Sequence, residues 1–416
     1  MSMQKLVLTL RENKKIAAFL SGQAVSLFGS SLVQYALMWH IVRETDSGAS
    51  IALYNLCAFA PNILIALFGG AWADRYSRKK LIIYADLGIA AATLLLGILM
   101  AFRDFGYLPI FLITIIRALG GGIQSPAVSA VLPQIVEEDK LLRVNSINST
   151  INSIIMFLSP AAARLILGVL PLFAVLLVDV FTALIAVLIL FFLKIPMHER
   201  AETSNAGSLL RDVRSGWRYT MGQFFLRRLM SYSFAFNFLV TPAALFTPLL
   251  VSRIYGGSDT YLMFNEMFFF IGGLVGGISL SAWGGFKNRI ATLALGGTLA
   301  GLCIAALGLQ LPFWVYLLFM FLTGITLPSL NVPMIALLQE KVQPDMMGRV
   351  FSLNQTASGI VLMSANLLFG FLSDRTPIGT LLLACGAMMT LLSAVGITLD
   401  KRFLREGLPK SSQPSG

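Results

Sequence analysis

Charge is scarce in this sequence. Acidic and basic residues together make up 12% of 416 positions against 56% hydrophobic ones, and the mean hydropathy is +0.79. A soluble domain carries about 25% charged residues to cover its surface, so a soluble enzyme or binding module is excluded. Histidine occurs twice and cysteine three times. Cys57, Cys303 and Cys385 all fall inside long apolar runs, where cysteine acts as a small apolar residue rather than as a disulfide partner or metal ligand. Two histidines make no metal constellation, and His40 reads as an interfacial residue, so no metal or cofactor is expected. No G-x-x-x-x-G-K-[ST] phosphate loop occurs, which leaves an ion gradient rather than ATP as the expected energy source. No nucleophile, base or metal set converges anywhere, so no catalytic residue is assigned.

What the chain has instead is apolar runs. About twelve of them, each long enough to cross roughly 30 Å of hydrocarbon, recur along its length. The approximate spans are 15–42, 50–72, 80–101, 108–130, 144–169, 171–193, 226–252, 259–282, 290–309, 312–336, 349–373 and 378–399. This predicts an all-α integral membrane protein. The first run is too long for a signal-peptide core and has no convincing cleavage site after it, so it is expected to stay as a helix.

The net charge of +11 is explained by where the bases lie. With the amino terminus in the cytoplasm, that side receives Lys5, Arg11, Lys14, Lys15, the Arg75 to Lys80 cluster, Lys140, Arg143, the central polar interval, Lys287, Arg289, Lys341, Arg349 and the tail. The outer side receives Arg43, Arg103, Arg253 and Arg375, and no lysine. This is the positive-inside asymmetry, which puts both termini in the cytoplasm and makes the bases a topology signal rather than a nucleic-acid surface.

The one long polar interval separates six spans from six. The expected organisation is an amino-terminal six-helix bundle (1–193), a cytoplasmic linker (194–225) with an amphipathic surface helix near Leu209 to Tyr219, a carboxy-terminal six-helix bundle (226–400) and a cytoplasmic tail (401–416). The halves repeat. AVLPQIVEEDKLLRVNSINST from Ala130 aligns without gaps on ALLQEKVQPDMMGRVFSLNQT from Ala336, and Asp139, Arg143, Val144, Ser146, Asn148 and Thr150 match Asp345, Arg349, Val350, Ser352, Asn354 and Thr356 at one constant offset. Duplicated bundles that rock about a site at the bilayer midplane are the construction of alternating-access transporters.

At the end of span two the sequence reads GGAWADRYSRKK. Gly70-x-x-x-Asp74-Arg75-x-x-Arg78-Lys79 resembles the loop signature of the major facilitator superfamily, with Ser77 where that family usually has glycine. The resemblance implies that Asp74 meets the amino-terminal end of span eleven at Met347-Gly348-Arg349. Unpaired N–H groups and the partial positive charge of a helix start favour a carboxylate by about 0.3–1 kcal/mol. Asp74 is thus a candidate latch, with Gly70, Arg75, Arg78, Lys79, Gly348 and Arg349 around it; the alternative is that the bases, Lys80 among them, only fix orientation. The second half has Trp283 to Arg289 at this place and no acid, so the latch is expected to be single.

A charge at the centre of a span costs about 2.5–3.5 kcal/mol on insertion scales, so each one there should face protein or water. Arg117, in IIRALGGG, matches the family's span-four arginine, and the resemblance implies a part in proton coupling. At helical rise it lies roughly 14 Å below the outer surface, Asp179 at a similar depth, and Arg164 at roughly 8 Å. Either Arg117 or Arg164 can pair with Asp179, as coupling residues or as a structural ion pair. Arg164 also marks a departure from the family: LSPAAARLILG keeps Pro160 but replaces the usual glycines. Glu266, in LMFNEMFFF, has no base in its own span and reads as a proton carrier, as the partner of a cationic substrate, or as a wet carboxyl near the rim. Asp86 reads as structural. Gln34, Asn237, Glu266, Phe270 and Asn331 are the candidate cavity residues.

The resemblance extends to the macrolide-efflux branch of the superfamily through SGQAVSLFGSSLVQYAL, AWADRYSRKKLIIYADLGIAAA, SPAVSAVLPQIVEEDKL and LQEKVQPDMMGRVFSL. It implies a multi-pass protein of the bacterial cytoplasmic membrane that exports amphipathic compounds against protons, and a monomer suffices for two rocking bundles. Export of an endogenous compound such as a siderophore or lysophospholipid, and a non-transporting membrane sensor, are the alternatives.

Overall fold

The computed structural model describes residues 14–102, 106–193, 195, 215–343, 346–397 and 399–407, and among them every regular element is helical. Among the described residues twelve spans are long and apolar enough to cross a membrane, and they follow the twelve apolar runs of the sequence. By contacts the chain divides into two units: Met1–Glu44 with Leu53–Ser204, and Thr45–Ala52 with Asn205–Gly416.

The first unit contains α1 (Lys14–Thr45), most of α2 (Gly48–Arg75), α3 (Arg78–Phe102), α4 (Leu108–Ile135), α5 (Glu138–Leu167) and α6 (Leu172–Phe192). α3 packs along both α4 and α6. The burial pattern of α6 is inverted relative to a soluble helix. Phe181, Leu184, Leu188 and Phe191 point outward, whereas the face turned to its neighbours carries Val175, Leu176, Ala183 and the carboxylate of Asp179. Such a helix is stable only where its outer solvent is hydrocarbon, because the apolar side chains then lose nothing by exposure and the acid is held by protein. One end of the unit is closed by an apolar cluster that includes Phe19, Leu20, Ile82, Leu132, Val144 and Leu190.

The second unit contains α7 (Phe224–Leu245), α8 (Thr247–Tyr255), α9 (Asp259–Trp283), α10 (Arg289–Leu307), α11 (Phe313–Lys341), α12 (Met347–Ser373), α13 (Ile378–Leu391) and α14 (Lys401–Glu406). Span seven, expected as one helix, is α7 and α8 joined at Phe246, whose backbone leaves the helical region at φ −117°, ψ 1°. Pro248 stands in the first turn of α8, where its missing donor N–H costs nothing. Span twelve ends in a π-helical turn, Leu392–Ile397. Just beyond it, α14 docks the start of the tail: Phe403 is fully buried between Phe225 and Tyr232, with ring centroids at 5.2 and 5.3 Å. The surface helix expected near Leu209 is described only over 215–222, where the Tyr219 hydroxyl accepts the backbone N–H of Gln343 at 3.2 Å.

The sequence repeat corresponds to equivalent helix boundaries. α4 ends at Ile135 and α11 at Lys341, which are aligned positions of the two copies. In α9, a β-carbon on Gly272 or Gly276 would run into the backbone of Phe321 or Ile325 on α11. GGLVGG is therefore the strip through which two helix backbones meet, the small-residue contact that membrane helices use in place of a hydrophobic driving force.

Candidate transport site

In the first unit, polar side chains from four helices converge inside the span. Asp179 on α6 forms a salt bridge with Arg117 on α4, and the two side chains are only 1% and 11% exposed. The same Asp179 oxygen lies 3.2 Å from the Thr93 hydroxyl of α3, and the other accepts from Ser30 Oγ of α1 at 2.9 Å. Arg117 also donates to Thr93 Oγ1 and, at 3.3 Å, to the Ser30 carbonyl. α1 can come this close because Gly29 faces Asp179 and Thr182, where a β-carbon would collide. Every charge of the pair is thus balanced and hydrogen-bonded, which is the condition for ions to persist in a low-dielectric interior. Of the two bases available to Asp179 in the sequence, the structure brings up Arg117. Arg164 lies half-buried in the last turn of α5, its guanidinium beside Gly168.

Arg117 borders a cavity of about 320 Å³, lined also by Gln34, Tyr54, Asn62, Thr114 and Gln124. Its walls combine these polar groups with a larger apolar part from Leu27, Phe59 and Ile89, and Tyr54 donates to the Gln34 carbonyl at 3.0 Å. Two turns along α3 from Thr93, the carboxylate of Asp86 is buried and receives Ser26 Oγ at 2.9 Å and Gln124 Nε2 at 2.7 Å.

In the second unit, Asn237 on α7 and Asn331 on α11 line one small cavity of about 90 Å³ with Ser233 and Met334. Glu266 and Phe270 are not among its lining residues. Phe270 instead contacts Phe269 edge-on at 5.9 Å. Glu266 Oε1 accepts from Asn265 Nδ2 at 3.3 Å, and no base reaches it among the described residues. Asn265 is fully buried and uses its other contacts on the Tyr316 hydroxyl, at 2.6 Å, and Thr247 Oγ1, at 3.4 Å. Thr247 is the first residue of α8, so the break in span seven at Phe246 supplies this network with a polar member.

The latch residue Asp74, together with Gly70 and Arg75, lies in a helix whose side chains there fall outside the described residues. Around it, Lys79 Nζ binds the carbonyls of Phe191 and Leu193 at 2.8 and 2.9 Å, and Arg78 Nη1 binds that of Ala130 at 2.6 Å. Lys79 thereby occupies the negative end of α6, where a cation is favoured. Gly348 and Arg349 form the exposed first turn of α12.

The second unit holds an acid-capped helix start that the sequence reading did not anticipate. Asp374, just after α12, accepts the backbone N–H of Gly48 at 2.6 Å and of Ala49 at 3.0 Å, and the Ser47 hydroxyl at 2.8 Å. Arg253 joins it at 3.1 Å and bonds the carbonyls of Ser373 and Asp46. Burial alone would raise the Asp374 carboxyl, but the bonds from Ala49, Gly48, Ser47 and Arg253 outweigh it and hold it below the ordinary carboxylate value. The signal available in sequence was an acid directly after one span and a Ser-Gly start to another.

Two units of membrane-spanning helices, with a buried ion pair and polar cavities inside the span, define a polytopic transporter. The chain belongs to the Major Facilitator Superfamily, whose model matches residues 19–365. It is similar to Macrolide efflux protein A of Streptococcus pyogenes, 27% identical over 377 residues that cover 90% of this chain and 93% of that protein. It is also similar to the Staphyloferrin A transporter of Staphylococcus aureus, 23% identical over 263 residues, 62% of this chain and 64% of that one. Among solved structures, a POT family transporter in complex with 5-aminolevulinic acid superposes with a TM-score of 0.75 at 11% identity, covering 94% of this chain and 97% of the other. At that identity the likeness is one of fold.

Proposed function

We propose that the chain exports amphipathic compounds of the macrolide type from the bacterial cytoplasm by proton antiport, as a monomer with both termini inside. The observation that carries this reading is the buried Arg117–Asp179 pair at the edge of the 320 Å³ cavity. A proton added to Asp179 removes one charge of the pair and leaves Arg117 to find another partner, so protonation and the shape of the cavity are coupled through one carboxylate. In this reading Glu266 is the second proton carrier, Gln34 and the Asn237–Asn331 cavity contribute substrate contacts, and Asp74 latches the cytoplasmic side. The similarity to a macrolide efflux protein over most of both chains supports the substrate class.

The test is reconstitution into vesicles holding a pH dye, with a macrolide added. Export with counterflow of protons is expected, and normal export and proton movement in both Glu266→Gln and Asp179→Asn would remove these residues from the mechanism. The similarity to a staphyloferrin transporter favours a second reading, export of an endogenous compound such as a siderophore. A drug-susceptibility screen in an efflux-deficient host separates the two, because a flat profile across macrolides and dyes points to the endogenous substrate.

A further inference from the structure

Three helices of the first unit present polar residues at two levels. On α3, Asp86 precedes Thr93 by two turns; on α4, Gln124 follows Arg117 by two turns; on α1, Ser26 precedes Ser30 by one. The side chains therefore form two rungs, about 10 Å apart along α3 and α4 and about 6 Å apart along α1 at 1.5 Å per residue. In the first rung Arg117, Thr93 and Ser30 surround the carboxylate of Asp179. In the second, Gln124 and Ser26 surround that of Asp86.

The rungs differ in one respect that matters chemically. Where the first has a guanidinium, the second has the neutral amide of Gln124. Both donors to Asp86 address the same oxygen, Oδ1, at 2.7 and 2.9 Å. Among the described residues Oδ2 is buried with no hydrogen-bond partner, and the residue as a whole is 2% exposed. Among the described residues, the charged group that acts on Asp86 from a packed helix is Asp179 on α6, itself paired with Arg117 of α4, while α1 presents Ser26. With no cation of its own among the described residues, an ionised Asp86 would hold a buried negative charge and one unsatisfied oxygen, the arrangement that folded proteins avoid. A proton on Oδ2 removes the charge and leaves Oδ1 accepting two bonds.

The nearest cavities lie on the side of Gln124, a donor to Asp86. Gln124 lines both the cavity beside Arg117 and a second one of about 200 Å³, which Ser26, Ser30, Asn148 and Asn152 also border.

We infer that Asp86 is a proton-binding site of the first bundle, distinct from the Arg117–Asp179 pair and reached by way of Gln124 from the cavities that it lines. The proton adds from solvent to Oδ2 to give the neutral acid and returns to solvent when the carboxyl is rehydrated. The inference deepens the proton-antiport reading and rests on it for its role in transport, but the site itself is testable without a substrate.

The experiment is infrared difference spectroscopy of the full chain in lipid vesicles as pH is stepped through neutrality, paired with proton flux. The expected result is a carbonyl stretch of a protonated carboxyl in the wild type, shifted in D₂O and diminished in Asp86→Asn, which resembles the neutral acid and keeps the acceptor. Gln124→Lys, which supplies the missing cation, should abolish the same band by holding Asp86 ionised, so the result does not depend on one variant. With a macrolide as cargo, Asp86→Asn should move at least tenfold fewer protons than the wild type. An undiminished band in both variants overturns the inference, and unchanged proton flux in Asp86→Asn overturns its role in transport. Should the band behave as expected while no cargo drives proton movement in the wild type, the proton site stands and the antiport reading falls.

Discussion

Arg117 and Asp179, 62 residues apart in sequence, meet as a buried ion pair whose carboxylate also receives Ser30 and lies within reach of Thr93. Breaking such a pair costs more than deleting it, because the survivor keeps its desolvation penalty without compensation. Arg117→Met or Asp179→Leu alone should each destabilise the protein by about 3–5 kcal/mol, whereas the double variant should recover most of that. Thermal unfolding in detergent of the two single variants and the double one measures it. Additive losses would mean that the two side chains do not act as a pair.

Glu266 has one hydrogen-bond partner, Asn265, and no base among the described residues. Glu266→Gln conserves shape and that partner, so folding should be unaffected. Proton counterflow in vesicles should fall at least tenfold. A variant that unfolds early would instead give Glu266 a structural part.

Asp374 supplies a pH dependence of defined sign. Its folded value lies below its unfolded value of about 3.9, so the clasp on Gly48 and Ala49 contributes stability that is fully present above that pH and is lost as pH falls through the folded value. Asp374→Ala should cost about 0.5–1 kcal/mol at pH 7, the low end of helix-cap values because the carboxylate is exposed to solvent. The difference in thermal midpoint between wild type and variant should shrink below about pH 4. A gap that stays constant down to pH 2 would assign the loss to something other than the charge.

Gly276 has no room for a β-carbon against the backbone of Ile325. Gly276→Val should force α9 away from α11 at a cost of about 1–3 kcal/mol, read as a lowered unfolding midpoint. Gly277, at which a β-carbon meets nothing within 4 Å, is the control: Gly277→Ala should leave the midpoint unchanged.

Much of the architecture was legible in the sequence because the bilayer imposes simple rules on it. A span needs about 20 apolar residues, and a buried charge must face protein, so runs of hydropathy located the helices and interruptions located Arg117, Asp179 and Glu266. Pro248 could have announced the break in span seven, but proline alone does not say whether a membrane helix kinks or ends. Asp86 was readable only as an acid near the start of a span. Its partners Ser26 and Gln124 are 60 and 38 residues away, and no local pattern reports such a meeting. Thr93 and Gln124 could have been found from their seven-residue spacing to Asp86 and Arg117, which keeps each pair on one face of its helix.

The chain by itself determined the number of spans, their membrane setting and the duplication of its halves, because these follow from hydropathy and from repeated residues read along one dimension. Only the tertiary structure decided that Asp179 takes Arg117, that Asp86 takes a neutral amide in place of a cation, and that Asp374 closes on the start of α2. The physical reason is the same for all three. A carboxylate's state depends on which donors lie within about 3 Å of it, and those donors arrive from helices that the sequence keeps far apart.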